Sequence, residues 1–102
     1  MKNVIDSINY LAIDEETATT AIKMYELVTN WYENKATRSE VLDAEIDSDF
    51  TKRVTFEQTI LIRSKRDMMP SVEIYFSLGW VIRKWVLYVC GTPIYGGEKP
   101  SF

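Results

Sequence analysis

The chain has 102 residues, of which 15 are acidic, 12 are basic and none is histidine, and its formal net charge is −3. Hydrophobic residues make up 46% and aromatic residues 13%, which is enough for a packed core and excludes a disordered chain. Without histidine there is no Ser/His/Asp triad, Cys/His pair or histidine-ligated metal, and the single cysteine excludes an intramolecular disulfide.

The first half of the chain carries hydrophobic residues at helical spacing. A short helix is predicted within the first twelve residues, and a longer amphipathic helix is predicted over residues 14–34. The sequence Thr-Arg-Ser-Glu at 37–40 matches the capping box, which predicts a third, short helix that continues to Ile46 and buries Val41, Leu42 and Ile46. Residues 1–46 are therefore expected to form the helical part.

After Phe50 the hydrophobic period changes to two, which is typical of strands. A two-residue turn at Leu78 and Gly79 would set Glu73 opposite Lys84, a favourable cross-strand pair. It would also place Arg83 beside Ile74 on the apolar face, so the sequence leaves the register of these strands open. Three strands are predicted, over residues 52–64, 71–78 and 80–90.

These elements predict a single α+β domain, in which two or three N-terminal helices pack on one face of a three- to four-stranded antiparallel sheet. The sheet is expected within residues 50–90. Residues 91–102 contain three glycines and two prolines and are predicted to be a C-terminal arm. No predicted element covers the sheet face that points away from the helices.

The sequence contains no arrangement of residues that is typical of catalysis, so we expect no enzymatic activity, no cofactor and no metal. The acidic residues between 43 and 49 alternate as calcium-loop ligands do, but Ser48 stands where such a loop needs glycine, and Val54 stands where it needs glutamate. Cys90 ends an apolar strand with no cation close to it along the chain, which predicts a buried, unreactive thiol.

Basic and aromatic residues in the second half of the chain are the candidate contact residues. Tyr, Trp, Met and Arg are enriched at protein interfaces. The connection over residues 63–69 is expected to be exposed, and aromatic side chains are expected on the open side of the sheet. The predicted partner-binding residues are Arg63, Lys65, Arg66, Met68, Met69, Tyr75, Trp80 and Trp85.

The sequence favours a small protein-binding module without enzymatic activity, either an inhibitor or accessory protein of a larger partner or a homodimer formed through the open sheet face. Its composition is similar to that of small acidic accessory proteins of phages and mobile elements, an analogy with no motif behind it. The alternative is a nucleic-acid-binding accessory protein that uses the basic end of the sheet. Small-molecule binding in a curved sheet is a third hypothesis. With no apolar run of about 18 residues and no secretory signal, the expected location is the cytoplasm, and no membrane contact is expected.

Overall fold

The computed structural model describes residues 4–11, 13–55, 59–65, 72–78 and 82–95. Within these ranges three helices precede five strands, and this confirms the predicted α+β class. The elements are α1 (Val4–Tyr10), α2 (Glu15–Glu33), α3 (Arg38–Asp43), β1 (Phe50–Val54), β2 (Thr59–Ser64), β3 (Val72–Leu78), β4 (Ile82–Val89) and β5 (Thr92–Tyr95).

The helices begin where local chemistry supports an N-terminus. Asp14 precedes α2 with an extended backbone, and two glutamates follow in the first turn, where negative charge interacts favourably with the helix dipole. Thr37 and Glu40 form the predicted capping box at the start of α3. The prediction for Leu42 was wrong: this side chain is 38% exposed, whereas Val41 is fully buried, because successive side chains of a helix point in different directions. The helix also ends at Asp43 and not at Ile46, which is only partly buried.

The five strands form one antiparallel sheet in the order β1-β2-β3-β4-β5, so each strand pairs with the next one along the chain. Two differences from the predicted three or four strands explain the count. The first is that the predicted strand over residues 52–64 is a hairpin of β1 and β2, closed by a hydrogen bond from the Thr55 amide to the Thr59 carbonyl. Val54 and Ile60 pair across this hairpin and therefore lie on the same face of the sheet. They are an even number of positions apart, so the alternation of hydrophobic residues is the same as in one continuous strand.

The second difference is β5, which lies in the segment predicted to be an arm. Cys90 and Gly91 are the two residues between the paired positions Val89 and Thr92, and both have a positive φ, of 51° and 84°. Positive φ at both central positions is the property of a type I′ hairpin turn. Pro93 is compatible with β5 because the strand lies at the edge of the sheet.

The register of β3 and β4, which the sequence left open, is not the one that a two-residue turn would give. Glu73 pairs with Tyr88, and Lys84 pairs with Ser77, so Glu73 and Lys84 are not cross-strand partners. Three residues separate β3 from β4, and the register shifts beside Leu78, which pairs with Ile82. A bulge of this kind inserts one extra residue into one strand and reverses the alternation beyond it.

One face of the sheet packs against the helices and forms the core. Tyr25 of α2 contacts Trp85 of β4 with ring centroids 5.5 Å apart, and Trp31 of α2 contacts Phe76 of β3 at 6.1 Å. Each side chain buried on this face removes apolar surface from water, which contributes about 1.5–3 kcal/mol for a valine, leucine or phenylalanine. The fully buried residues at the centre are Ile8, Met24, Val28, Ile60, Ile62, Ile74, Phe76 and Leu87.

Candidate interaction surface

The sheet face opposite the helices carries a mixture of aromatic, charged and apolar side chains, and none of the three described helices packs on it. We call this surface the open face. Cross-strand partners lie on the same face of a sheet, so the register identifies its members. Among the residues whose side chains the structure describes, the open face comprises Thr51, Arg53, Thr59, Leu61, Arg63, Glu73, Tyr75, Ser77, Lys84, Val86, Tyr88 and Pro93.

An aromatic pair lies at the centre of the open face. Tyr75 of β3 and Tyr88 of β4 have ring centroids 5.7 Å apart and an interplanar angle of 86°, an edge-to-face contact. Leu61 and Val86 pair with Tyr75 on either side, and they are only 2% and 1% exposed although neither belongs to the core beneath the helices. The open face therefore has a small apolar layer of its own with half-buried tyrosines beside it.

An ion pair crosses the open face next to the tyrosines. Nε and Nη2 of Arg63 both donate to Oε2 of Glu73, at 3.1 and 2.9 Å. The two residues are direct cross-strand partners, and their side chains are 38% and 23% exposed. The pair orients both side chains, and at this exposure its net contribution to stability is about 1 kcal/mol or less.

Burial and charge act together on the Tyr75 hydroxyl. Partial burial is the main cause that raises its pKa, and the neighbouring Glu73 carboxylate raises it further, while Arg63 and Arg53 act in the opposite direction. The phenol of Tyr75 therefore stays protonated at neutral pH. A protonated phenol is both a donor and an acceptor of hydrogen bonds.

Lys52 belongs to β1 but points to the helix side of the sheet. Its Nζ donates to the carbonyl oxygens of Val41, Leu42 and Ala44, at 2.6, 3.1 and 2.6 Å, and lies 5.8 Å from the Trp31 ring centroid. These carbonyls come from the end of α3, where the helix dipole favours a cation. Partial burial lowers the pKa of this amine, and Asp43 opposes the shift. Lys52 is therefore a structural cation and not a contact residue.

The structure brings some of the predicted contact residues together and separates others. Tyr75 lies on the open face as predicted. Arg63 is part of β2 and is ion-paired, so the prediction that it lies in an exposed connection was wrong. Lys65 is exposed just after β2, and its amide donates to the Asp49 carbonyl at 2.8 Å. Arg66, Met68, Met69 and Trp80 lie outside the described residues.

The prediction for Trp85 was wrong. Its side chain is 3% exposed on the helix-facing side, where it packs against Tyr25. The sequence of β4 is apolar at both odd and even positions, so alternation alone does not assign its faces. The bulge beside Leu78 then makes Ile82 and Trp85, three residues apart, both point to the core.

Several open-face residues were not identified from the sequence. Arg53, Lys84, Tyr88 and the two aliphatic residues Leu61 and Val86 join the surface only once the register is known. A partial signal was present, because Leu61 alternates with Arg63 on the polar side of its strand, which is an unusual position for a buried leucine.

No other part of the described chain brings side chains together into a second candidate site. Among the described residues, no group of three or more acidic or cysteine side chains could hold a metal ion, and no helix is long and apolar enough to cross a membrane. Cys90 is exposed in the β4–β5 turn, so its predicted burial was wrong, whereas its lack of a functional role stays a prediction. An open cleft of about 460 Å³ between α2 and β1 is lined mainly by polar side chains.

Comparison of the chain with protein-family models, with curated proteins and with solved structures found no match. Any account of its function therefore depends on the geometry of the open face.

Proposed function

We propose that the protein is a binding module without enzymatic activity that holds a partner protein on the open face, and that it acts in the cytoplasm as an inhibitor or accessory protein. The observation that supports this most directly is the Tyr75–Tyr88 pair next to the apolar residues Leu61 and Val86. Aromatic residues and arginine over a dry apolar layer are what distinguishes the centre of a protein interface from ordinary surface.

The arrangement of the face also matches the expected division of an interface into centre and rim. The tyrosines lie on β3 and β4, which are two of the three inner strands, whereas Arg53 lies on the edge strand β1 and Lys84 lies near the start of β4. In known interfaces the central aromatic contacts carry most of the binding energy, and charged residues at the rim affect mainly the association rate.

The geometry is less suitable for single-stranded nucleic acid, the alternative function. A stacking platform needs aromatic rings that lie flat on the sheet so that successive bases can stack on them. Tyr75 and Tyr88 stand at 86° to each other, so at most one of them lies flat.

The test is a comparison of three forms of the protein as bait in nuclease-treated lysate of the source cells. The first is the wild type, and the second has Tyr75→Ala and Tyr88→Ala on the open face. The third has Tyr10→Ala, which removes the same side chain from an exposed position at the end of α1, where Tyr10 is 79% exposed. Circular dichroism and thermal melting show that each form is folded.

The proposal predicts at least one protein that the wild type and Tyr10→Ala both retain and that the double variant loses. If all three folded forms retain the same proteins, the open face is not the binding surface. If the double variant is unfolded, Tyr88→Ser alone replaces it in the same comparison.

A further inference from the structure

The two edges of the sheet differ in how well they can pair with another strand. β1 and β5 are the edge strands. β5 contains Pro93, which has no amide hydrogen to donate, and α1 contacts this strand. β1 contains no proline, and three of its five residues are exposed. The β1 edge is therefore the better template for an additional strand.

The hydrogen bonds at the two ends of the β1–β2 hairpin show which main-chain groups of β1 point away from β2. The Asp49 carbonyl accepts from the Lys65 amide at 2.8 Å. The Thr55 amide donates to the Thr59 carbonyl, also at 2.8 Å. In an antiparallel pair, hydrogen-bonded and non-bonded positions alternate. The odd-numbered residues of β1 therefore bond to β2, and the even-numbered residues direct their main-chain groups to the free edge.

Most main-chain groups at this free edge have no partner among the described residues. The Phe50 amide donates to the Asp47 carbonyl at 2.9 Å. The Phe50 carbonyl, and both the amide and the carbonyl of Lys52 and Val54, make no hydrogen bond with any described residue. A row of unpaired donors and acceptors on an exposed strand is what an extended segment pairs with when it adds a strand to a sheet.

The side chains beside this edge are also compatible with an added strand. Val54 points to the helix side of the sheet, opposite the buried Ile60, and is 42% exposed. A lysine that points to the core side usually protects an edge strand, because an added strand would bury its charge. The ammonium of Lys52, however, is already bound to carbonyl oxygens at the end of α3. An added strand would not deprive it of a partner.

We infer that β1 binds an extended segment of another protein, which adds a sixth strand to the five-stranded sheet. The segment lies about 4.8 Å beyond β1 and forms hydrogen bonds with the free groups of Lys52 and Val54. It carries a β-branched or aromatic residue opposite Val54, because such side chains pack well across neighbouring strands. The contact uses the main chain of the edge and not the tyrosines of the open face, so it is independent of the proposed function.

A second copy of the chain is a poorer occupant of this edge. Two registers of a symmetric antiparallel pair place both Lys52 and Val54 opposite β1 residues of the other copy. A pair centred on Arg53 sets two arginine side chains directly opposite each other, and like charges in that position are destabilising. A pair centred on Lys52 sets Val54 opposite Phe50, whose amide is already bonded, so the Val54 carbonyl stays unpaired.

The test uses the full chain and two defined peptides. The probe is a fluorescein-labelled decapeptide in which threonine and valine alternate between terminal lysines. The comparison peptide has an N-methyl group on every valine, which removes these amide donors and keeps the side chains. Binding is measured by fluorescence anisotropy, and the contacted amides are identified by hydrogen exchange followed by NMR.

We expect the unmodified peptide to bind at least tenfold more tightly than the N-methylated one, a difference of about 1.4 kcal/mol. The amides of Lys52 and Val54 should exchange rapidly in the free protein and become protected when the peptide binds. The amides of Thr51 and Arg53, which face β2, should be protected in both states.

The variants separate the edge from the open face. Val54→Pro removes an amide that makes no bond within the sheet, so the variant should fold and bind the peptide at least tenfold more weakly. Val54→Thr keeps the amide and is the matched control, which should retain the preference for the unmodified peptide. Tyr75→Ala with Tyr88→Ala should bind the peptide as the wild type does. If Val54→Pro is unfolded, Val54→Lys replaces it, because charged side chains also disfavour pairing at an edge.

Four outcomes would overturn the inference. Absence of peptide binding, or equal binding of the two peptides, would show that β1 does not accept a strand. Slow exchange of the Lys52 and Val54 amides in the free protein at low concentration would show that the edge is already paired. Loss of peptide binding in the tyrosine variant would place the peptide on the open face. A mass that doubles with concentration in the wild type and not in Val54→Pro would identify a second copy as the occupant.

Discussion

Replacement of Lys52 by methionine should destabilise the protein through the end of α3. The methionine keeps the apolar stem but removes the ammonium that donates to the Val41, Leu42 and Ala44 carbonyls. A hydrogen bond to a charged group contributes about 1.5–3 kcal/mol, and two of these three bonds are partly buried. Water can replace the ammonium at the exposed Leu42 carbonyl, so we count only the two partly buried bonds. At about 1–1.5 kcal/mol each, which is at or just below the low end of that range because their burial is partial, they give an expected loss of about 2–3 kcal/mol.

Thermal and urea denaturation measure this loss directly. For a domain of 102 residues the entropy of unfolding is about 0.2 kcal/mol/K, so the melting temperature should fall by about 10–15 °C. Lys65→Met is the matched control, because Lys65 is exposed just outside β2, and it should change stability by less than about 0.5 kcal/mol. Equal stability of the Lys52 variant and the wild type would refute the reasoning.

Hydrogen exchange distinguishes a local loss of stability at the end of α3 from a general loss of stability in the core. The Lys52 variant should lose amide protection in α3 more strongly than in β2 and β3. A loss spread evenly over α2 and the sheet would show that Lys52 supports the core and not the end of α3.

Three further predictions concern the core, the β4–β5 turn and the capping box. Val28→Asp should lower the free energy of unfolding by at least about 4 kcal/mol because Val28 is fully buried in the core. Thr19→Asp, on the exposed side of α2, is the control and should have little effect. Equal urea midpoints of the two variants would show that α2 is oriented differently. Cys90→Asn should raise stability by up to about 1 kcal/mol in calorimetry, since asparagine tolerates positive φ before glycine, and a lower melting temperature would contradict the turn assignment. Hydrogen bonds from Thr37 lower the pKa of Glu40 below its ordinary 4.5, so its contribution to α3 is present above pH 4.5 and is lost as the pH falls through the lowered pKa. Glu40→Gln should remove that dependence from the exchange rates of α3, and an unchanged pH profile would exclude Glu40 as its origin.

The helices and the inner strand β3 could be predicted from the sequence because local signals specify them. Residues 37–40 carry a capping box that needs no tertiary context, and Val72, Ile74 and Phe76 alternate with polar neighbours in a strand buried on one side only. Such patterns depend on short-range geometry, and the tertiary packing of this fold agrees with them.

The hairpin of β1 and β2 and the strand β5 could not be predicted, for two different physical reasons. The β1–β2 turn contains no glycine, proline or asparagine, and its even spacing preserves the alternation, so nothing in residues 52–64 marks the break. In β5, a proline and neighbouring glycines indicated an arm. A proline is acceptable in an edge strand, however, and the edge position is a property of the whole sheet.

The open face depended on the register, which the sequence did not specify. Trp85 was expected on it and lies in the core, while Tyr88 belongs to it and was not identified. The bulge in β4 decides both assignments. A bulge depends on how two strands pair and pack, and it leaves no reliable sequence pattern in a segment that is apolar on both sides.

The sequential strand order has a consequence for how the chain folds. Each hairpin joins neighbouring segments, so its closure costs little loop entropy and can occur within microseconds. The helices depend on more distant segments, because α2 packs on β3 and β4, and α1 contacts β5. During synthesis α1 leaves the ribosome before the other described elements, and its partner strand β5 leaves after them. We therefore expect the meander to assemble strand by strand and the docking of the helices onto it to be the late, cooperative step of folding.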